Sequence, residues 1–238
     1  MLVTAISDTH CQFPELPGGD LLLHAGDFTW KGRREEVMAT IDYFKKQLAI
    51  YRHIVFIAGN HELTFERKDQ RDMFIKEHLS DRLIYLQENE VIIDGFKIYG
   101  APQQPEFCDW AFNVPRGDLF IHWDQIPDDT DILITHGPPH GYGDRVDRVY
   151  WRRSPDLSER SVVKHEYVGC HELLDAIRRV KPQAHIFGHI HEGYGVFDGR
   201  GDLEGIKMIN ASVVNRDYRM VNKPVTFQLD LPKGISSK

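Results

Sequence analysis

Short apolar runs separated by polar loops dominate the first part of the chain. Leu2 to Ile6 and Asp20 to His24 each end where a polar or glycine-containing loop begins, and both are predicted as buried strands. From Arg33 to Ala49 the period changes: Val37, Ile41, Phe44 and Leu48 recur at helical spacing, and His53 to Ala58 then returns to a strand-like run. Further strands are predicted at 91–94, 96–99, 131–135, 184–187, 206–210 and 226–229, with a helix over 170–180 that Pro182 ends. The pattern is β-loop-α-β at first and mostly β later. It is least regular from Gly141 to Val168. There is no internal repeat or low-complexity tract, and residues 233–238 read as a tail.

A chain of 238 residues with 41% hydrophobic and 27% charged positions can bury one substantial core, so a single α/β domain over 1–232 is expected. The net charge of −7 has the wrong sign for gripping long nucleic acid, and a small anionic substrate would need local positive charge. Cys11, Cys108 and Cys170 show no CxxC spacing, which disfavours a disulfide framework or a zinc knuckle and suits a reducing cytoplasm. The strand-like N-terminus lacks the features of a signal peptide, and no apolar run approaches membrane-spanning length. Cytoplasmic localisation without a membrane partner is therefore expected. Arg145, Arg148, Arg152, Arg153 and Arg160 lie beside Tyr150 and Trp151 within the irregular 141–168 segment. Its position directly after His136-Gly137-Pro138-Pro139 makes this insert a candidate lid.

Chemistry enters at the ends of the runs. Asp8-Thr9-His10, Gly26-Asp27, Gly59-Asn60-His61-Glu62, Thr135-His136-Gly137 and Gly188-His189-Ile190-His191 each occur just after an apolar run. Ligands in open α/β sheets gather outside the carboxyl ends of strands, so these motifs are predicted to converge on one crevice. Asp8 and His10 are two apart, which at a strand end projects both side chains to one side. Gly26 permits a sharp turn before Asp27, whose two oxygens can bridge two cations. Singly, each motif is more often a turn or a solvated histidine; it is their joint order that carries the inference. Asp8, His10, Asp27, Asn60, His136, His189 and His191 offer more N/O donors than one ion takes, which implies a two-metal site and hydrolysis of a phosphate ester.

These blocks resemble the calcineurin-like metallophosphoesterase superfamily through nearly the whole chain. Gly100-Ala101-Pro102, Asp109-Trp110-Ala111-Phe112-Asn113, Thr135-His136-Gly137-Pro138-Pro139 and Phe187-Gly188-His189-Ile190-His191-Glu192-Gly193-Tyr194-Gly195 resemble, more narrowly, its metallophosphoesterase-domain-containing (UPF0046-type) branch. The resemblance implies a sandwich of two mixed β-sheets flanked by helices and a phosphodiesterase of cyclic or related nucleotides, typically with manganese. It assigns one ion to Asp8, His10, Asp27 and His191, and the second to Asp27, Asn60, His136 and His189. Imidazole, carboxylate and amide donors without thiolate fit manganese, iron or zinc. Two divalent ions, two carboxylates and a bridging hydroxide leave roughly +1 at the site, so an anionic phosphoryl group is attracted despite the acidic chain. The hydroxide would attack phosphorus, and His61 would serve as general acid or steady the leaving oxygen.

Other residues keep simpler explanations. His24 and His185 lie inside apolar runs and read as hydrogen-bonded core. Phe65 and Asp175 stand where a zinc-peptidase His-Glu-x-x-His would need its second histidine. Trp110 either packs in its loop or stacks on a base, and His140 either touches substrate or is solvated. The Arg-rich segment is longer than the corresponding loop of the animal members, so substrate preference does not carry over with the motifs. Within the same superfamily a phosphomonoesterase or nuclease is the nearer rival, and a nucleotide-binding regulatory protein with little catalysis the more distant one.

Overall fold

The structure, a computed structural model, describes residues 1–153 and 159–234, with the side chains of 149–162 outside that description. The first strands are β1 (Leu2–Ile6), β2 (Gly19–His24), β3 (Tyr51–Phe56) and β4 (Leu83–Tyr85). Helix α1 (Arg34–Gln47) precedes β3, and α2 (Leu63–Glu66) and α3 (Lys68–His78) precede β4. Next come β5 (Asn89–Ile93), β6 (Phe96–Ala101), the two-residue β7 (Gln104–Pro105) and β8 (Asn113–Val114), α4 (Phe120–Trp123) and β9 (Ile132–Thr135). The last part holds β10 (Arg145–Arg153), β11 (Glu159–Tyr167), α5 (His171–Val180), β12 (Ala184–Phe187), β13 (Gly195–Asp198), β14 (Lys207–Asn210) and β15 (Val225–Gln228).

Two mixed sheets stack face to face. One runs β15-β1-β2-β3-β4 with only β15 antiparallel; the other runs β13-β14-β12-β9-β6-β5 with antiparallel edges at β13 and β5. Strand alternation decides what lies between them. Val3, Ala5, Leu21, Leu23 and Val55 of the first sheet meet Ile98, Ile132, Ile134, Ile186 and Ile209 of the second. Their neighbours face outward onto helices. Leu22, Ile54 and Phe56 pack on Val37, Ile41 and Phe44 of α1, while Tyr99, Leu133 and Phe187 pack on Trp123 of α4 and Leu173 and Ile177 of α5. Both faces of the central strands are therefore buried, which is why they read as continuous apolar runs rather than alternating ones. Each fully buried aliphatic side chain contributes about 1.5–3 kcal/mol.

Local chemistry fixes the helix ends. Glu36 accepts from the Arg33 N–H (3.3 Å) at the start of α1, and Lys45 and Lys46 sit in its last turn, where cations suit the helix dipole. The Cys170 sulfur accepts from Leu173 N–H at the start of α5, and Lys181 in the left-handed region (φ 51°) closes it ahead of Pro182.

The largest departure from the predicted elements lies at 141–168. β10 and β11 pair antiparallel from Arg145 opposite Tyr167 to Arg153 opposite Glu159, forming a two-stranded ribbon separate from both sheets. Cross-strand charge pairs hold its base: Arg148 with Glu166 (2.7 Å) and His165 with Asp147 (2.6 Å). Hydrophobic periodicity carries no trace of such pairs. Helices α2 and α3 also escape it, since each buries one apolar residue, Phe65 and Phe74. Residues 154–158 of the expected lid and 235–238 of the expected tail lie outside the described residues. Lys233 is tied down, its N–H on Asp131 and its Nζ on the Val180 carbonyl. Among the described residues no helix is long and apolar enough to cross a membrane.

Candidate metal centre

β1, β2 and β3 run parallel in one sheet, and β9 and β12 run parallel in the other, so the loops leaving their carboxyl ends meet at one rim. Those loops carry all seven expected donors. The strand alternation expected to align Asp8 with His10 does not operate, because β1 ends at Ile6 and both residues have left the extended conformation (φ 55° and 42°). Asp27 (56°) and His189 (65°) are left-handed too. A non-glycine residue there costs on the order of 1–3 kcal/mol. Interlocking backbone bonds hold the turns: Asp8 N–H to Gly26 O (3.0 Å), His10 N–H to Asp27 O (3.0 Å) and Gly188 N–H to His136 O (2.9 Å). Glycine is required where chains touch the carboxylates: a Cβ on Gly188 would lie 2.1 Å from Asp8 Oδ2, and one on Gly59 2.4 Å from Asp27 Oδ1.

The donor atoms fall into three overlapping groups whose members lie within 4.8 Å of one another: Asp8, His10 and His191; His10, Asp27 and His61; Asp27, His136 and His189. Asp27 Oδ2 is the hub. It lies 3.3 Å from His136 Nε2, 4.0 Å from His10 Nε2 and 3.9 Å from His61 Nε2. Its Oδ1 accepts from the His61 N–H (2.9 Å), which orients the carboxylate. Asn60 Oδ1 sits 2.9 Å from both His136 Nε2 and His189 Nδ1, completing the third group.

Two observations match these residues to divalent cations. In His10, His61, His136 and His191 the Nδ1 faces a backbone carbonyl, of Thr29, Trp30, Ala25 and Asn215 respectively. Nδ1–H donation to those carbonyls turns each Nε2 inward, which in His10, His136 and His191 is the arrangement of ligating histidines. His10 Nε2 is also buried with no hydrogen-bond partner, a cost of about 1–3 kcal/mol unless something binds it. The hard and borderline donors suit manganese, iron or zinc.

The electrostatics are those of carboxylates among imidazoles. Burial pushes the Asp8 carboxyl up, but the His191 hydrogen bond and charge outweigh it and hold Asp8 at about 2. At Asp27 burial is likewise overcome by His136, leaving the carboxyl well below its usual range. Burial pulls His136 down, yet Asp27 lifts it to about 9, whereas burial prevails at His189 and takes it to about 3. His24 and His185 are core residues as expected, bonded to Thr9 (3.0 Å) and Thr135 (2.8 Å).

Glu62 is the structural residue that the motifs hid. Its Oε2 accepts from Asp27 N–H (2.9 Å) and Gly59 N–H (2.6 Å), and its Oε1 from Thr29 N–H and hydroxyl (each 2.8 Å). It thereby ties the Asp27 loop to the Asn60 loop. Burial and the Asp27 charge push it up to about 8 against the pull of those donors. A glutamate next to Asn60-His61 without a peptidase motif was the available signal.

A cavity of about 590 Å³ opens over the centre, lined by Asp27, Asn60, His61, His189 and His191 on one side and by Phe107, Pro138 and Ile190 among its apolar residues. Trp110 lines it as well and stacks on His61 (centroids 4.2 Å, planes 25° apart). His140 is not brought there: among the described residues lining the cavity it is missing, and its ring stacks on His171 (3.8 Å). The base of the ribbon does reach the cavity, through Val146, Asp147 and Arg148.

Nitrogen and oxygen donors gathered at one rim of two stacked sheets, beneath an open cavity, define a metal-assisted phosphoesterase class. A family model described as calcineurin-like phosphoesterase matches residues 1–193, and the chain belongs to that family. It is similar to the Homo sapiens metallophosphoesterase domain-containing protein 1, 39% identical over 253 residues that cover 96% of this chain and 71% of that one. A Caenorhabditis elegans UPF0046 protein is 36% identical over 90% of this chain and 56% of its own. Among solved structures, TT1561 of Thermus thermophilus shares the fold, with a TM-score of 0.56 at 14% identity over 95% of this chain and 97% of that one.

Proposed function

We propose that this phosphoesterase is a dinuclear metal-dependent phosphodiesterase whose substrate is a small phosphodiester, a cyclic nucleotide. The observation that carries it is a chain of overlapping donor groups, two of them sharing Asp27 and two sharing His10, under a cavity that fits a single nucleotide better than a polymer. Asp8, His10, Asp27 and His191 would hold one cation and Asp27, Asn60, His136 and His189 the other, with manganese first and iron or zinc as alternatives. Two such cations supply Lewis acidity toward a phosphoryl oxygen and make activated water available at neutral pH.

The chain's own residues supply the rest. His61 is anchored through Nδ1 on the Trp30 carbonyl (2.7 Å), so its Nε2 faces the centre, placed to hand a proton to the leaving oxygen. Trp110, stacked behind it, fixes the ring plane and offers the cavity a flat apolar surface for a base. Phe107, Pro138 and Ile190 exclude water from that side. Cys11, Cys108 and Cys170 are all free, which supports a cytoplasmic setting.

The test is a phosphoester panel on manganese-loaded protein. Hydrolysis of 2′,3′- or 3′,5′-cyclic nucleotides in preference to monoesters is expected. Preference for monoesters would replace the diesterase with a phosphomonoesterase, and nucleotide binding without turnover would point to a regulatory protein.

A further inference from the structure

The turn after Val214 brings to the site a residue that no motif points to. Val214 and Met220 bridge antiparallel, and Asn215 closes the turn between them. Its carbonyl accepts from the Tyr218 N–H (2.8 Å), and its Oδ1 accepts from the N–H groups of Asp217 and Arg219 (each 3.0 Å). The same carbonyl faces His191 Nδ1 at 3.2 Å, so one residue holds both a candidate ligand and the turn. Tyr218 adopts φ 58°, the left-handed region, and Gln12 Nε2 donates to its carbonyl at 3.0 Å. For a bulky side chain that backbone is an outlier, and outliers of this kind concentrate at functional sites.

The turn aims Tyr218 at the first donor group. Its ring meets His10 (4.9 Å, 72°) and His191 (5.0 Å, 86°) edge-on, and it tilts against Trp30 at 5.2 Å. It lines the cavity beside Asp27, Asn60 and His61, remains 39% exposed, and among the described residues its hydroxyl has no hydrogen-bond partner. Phenylalanine would make the same edge contacts, and glycine or asparagine would relieve the turn. What tyrosine adds is the hydroxyl, which faces the cavity as a hydrogen-bond donor.

We propose that Tyr218 is a substrate-binding residue whose hydroxyl donates a hydrogen bond to a non-bridging phosphoryl oxygen of the phosphoester seated over Asp8, His10, Asp27 and His191. The proposal depends on the phosphoesterase function argued above. A hydrogen bond to a charged oxygen implies a loss of about 10-fold or more on its removal. The experiment compares wild type with Tyr218→Phe, both manganese-loaded, measuring inorganic phosphate affinity by calorimetry, turnover of bis(p-nitrophenyl) phosphate, and manganese affinity. We expect phosphate to bind about 10-fold more weakly and kcat/KM to fall at least as far, with manganese affinity unchanged. Unchanged phosphate affinity and kcat/KM in Tyr218→Phe, with an active wild type, would overturn the role of Tyr218 alone. So would a variant whose only defect is manganese binding. A wild type that neither binds phosphate nor hydrolyses any phosphoester would overturn the phosphoesterase function and the Tyr218 role together.

Discussion

Glu62 shows how much of the site depends on a side chain that never reaches the cavity. Each of its oxygens takes two donors, so Glu62→Gln sets an NH₂ group against two N–H or O–H groups it cannot satisfy. Loss of about 3 kcal/mol in urea unfolding at pH 9, where the Glu62 carboxyl is ionised in the fold, is expected, together with weaker metal binding. His185 gives a pH prediction of definite sign. Burial pushes it down to about 3, so the fold keeps the ring neutral while the unfolded chain takes up a proton below its ordinary value of 6.5. Its contribution is complete above pH 6.5 and is lost as pH falls from there toward 3, by up to about 1.4 kcal/mol per pH unit. Unfolding free energies of His185→Phe between pH 6.5 and 4.5 should fall less steeply than those of wild type by about that slope; equal slopes would refute it. The convergence of the seven candidate donors was legible in the sequence because their motifs each follow an apolar run. Glu62 and Tyr218 were not, since one acts through backbone N–H groups and the other is placed by a turn whose strain has no compositional mark.

Elements buried on both faces were legible for the reason that makes them stable. Central strands such as Leu21–Leu23 and Ile132–Ile134 are apolar throughout because one face meets the other sheet and the opposite face meets helices. The β10–β11 ribbon lies outside that logic: it forms its own two-stranded sheet and its base is held by charge pairs. Val146, Asp147 and Arg148 at that base line the cavity, and under the proposed function the ribbon would serve substrate contact more than folding. Replacing 146–166 by a two-glycine link between Arg145 and Tyr167, which already face each other across the ladder, should leave a cooperative melt within a few degrees of wild type. KM for a diester should rise more than kcat falls. Collapse of the melt, or unchanged KM, would show that the ribbon is structural or irrelevant.

At the scale of the molecule, the site exists because two sheets direct the carboxyl ends of five parallel strands to one rim. The net charge of −7 then matters less than the local balance, in which buried imidazoles and any bound cations offset Asp8 and Asp27. Sequence conveyed the fold class and the convergence; the place of Asp27 Oδ2 among three imidazoles, and the absence of His140 from the described lining of the cavity, emerged only from loop geometry. The central claim is that two cations, joined through Asp27, cleave a small phosphodiester. Its most direct test is the rate of bis(p-nitrophenyl) phosphate hydrolysis as metal-free protein is titrated with Mn²⁺, for wild type and His189→Ala. The account predicts a rate that climbs to a plateau at two ions per chain and falls about 100-fold or more in a folded His189→Ala protein. A full rate at one ion per chain, or an unimpaired variant, would contradict it.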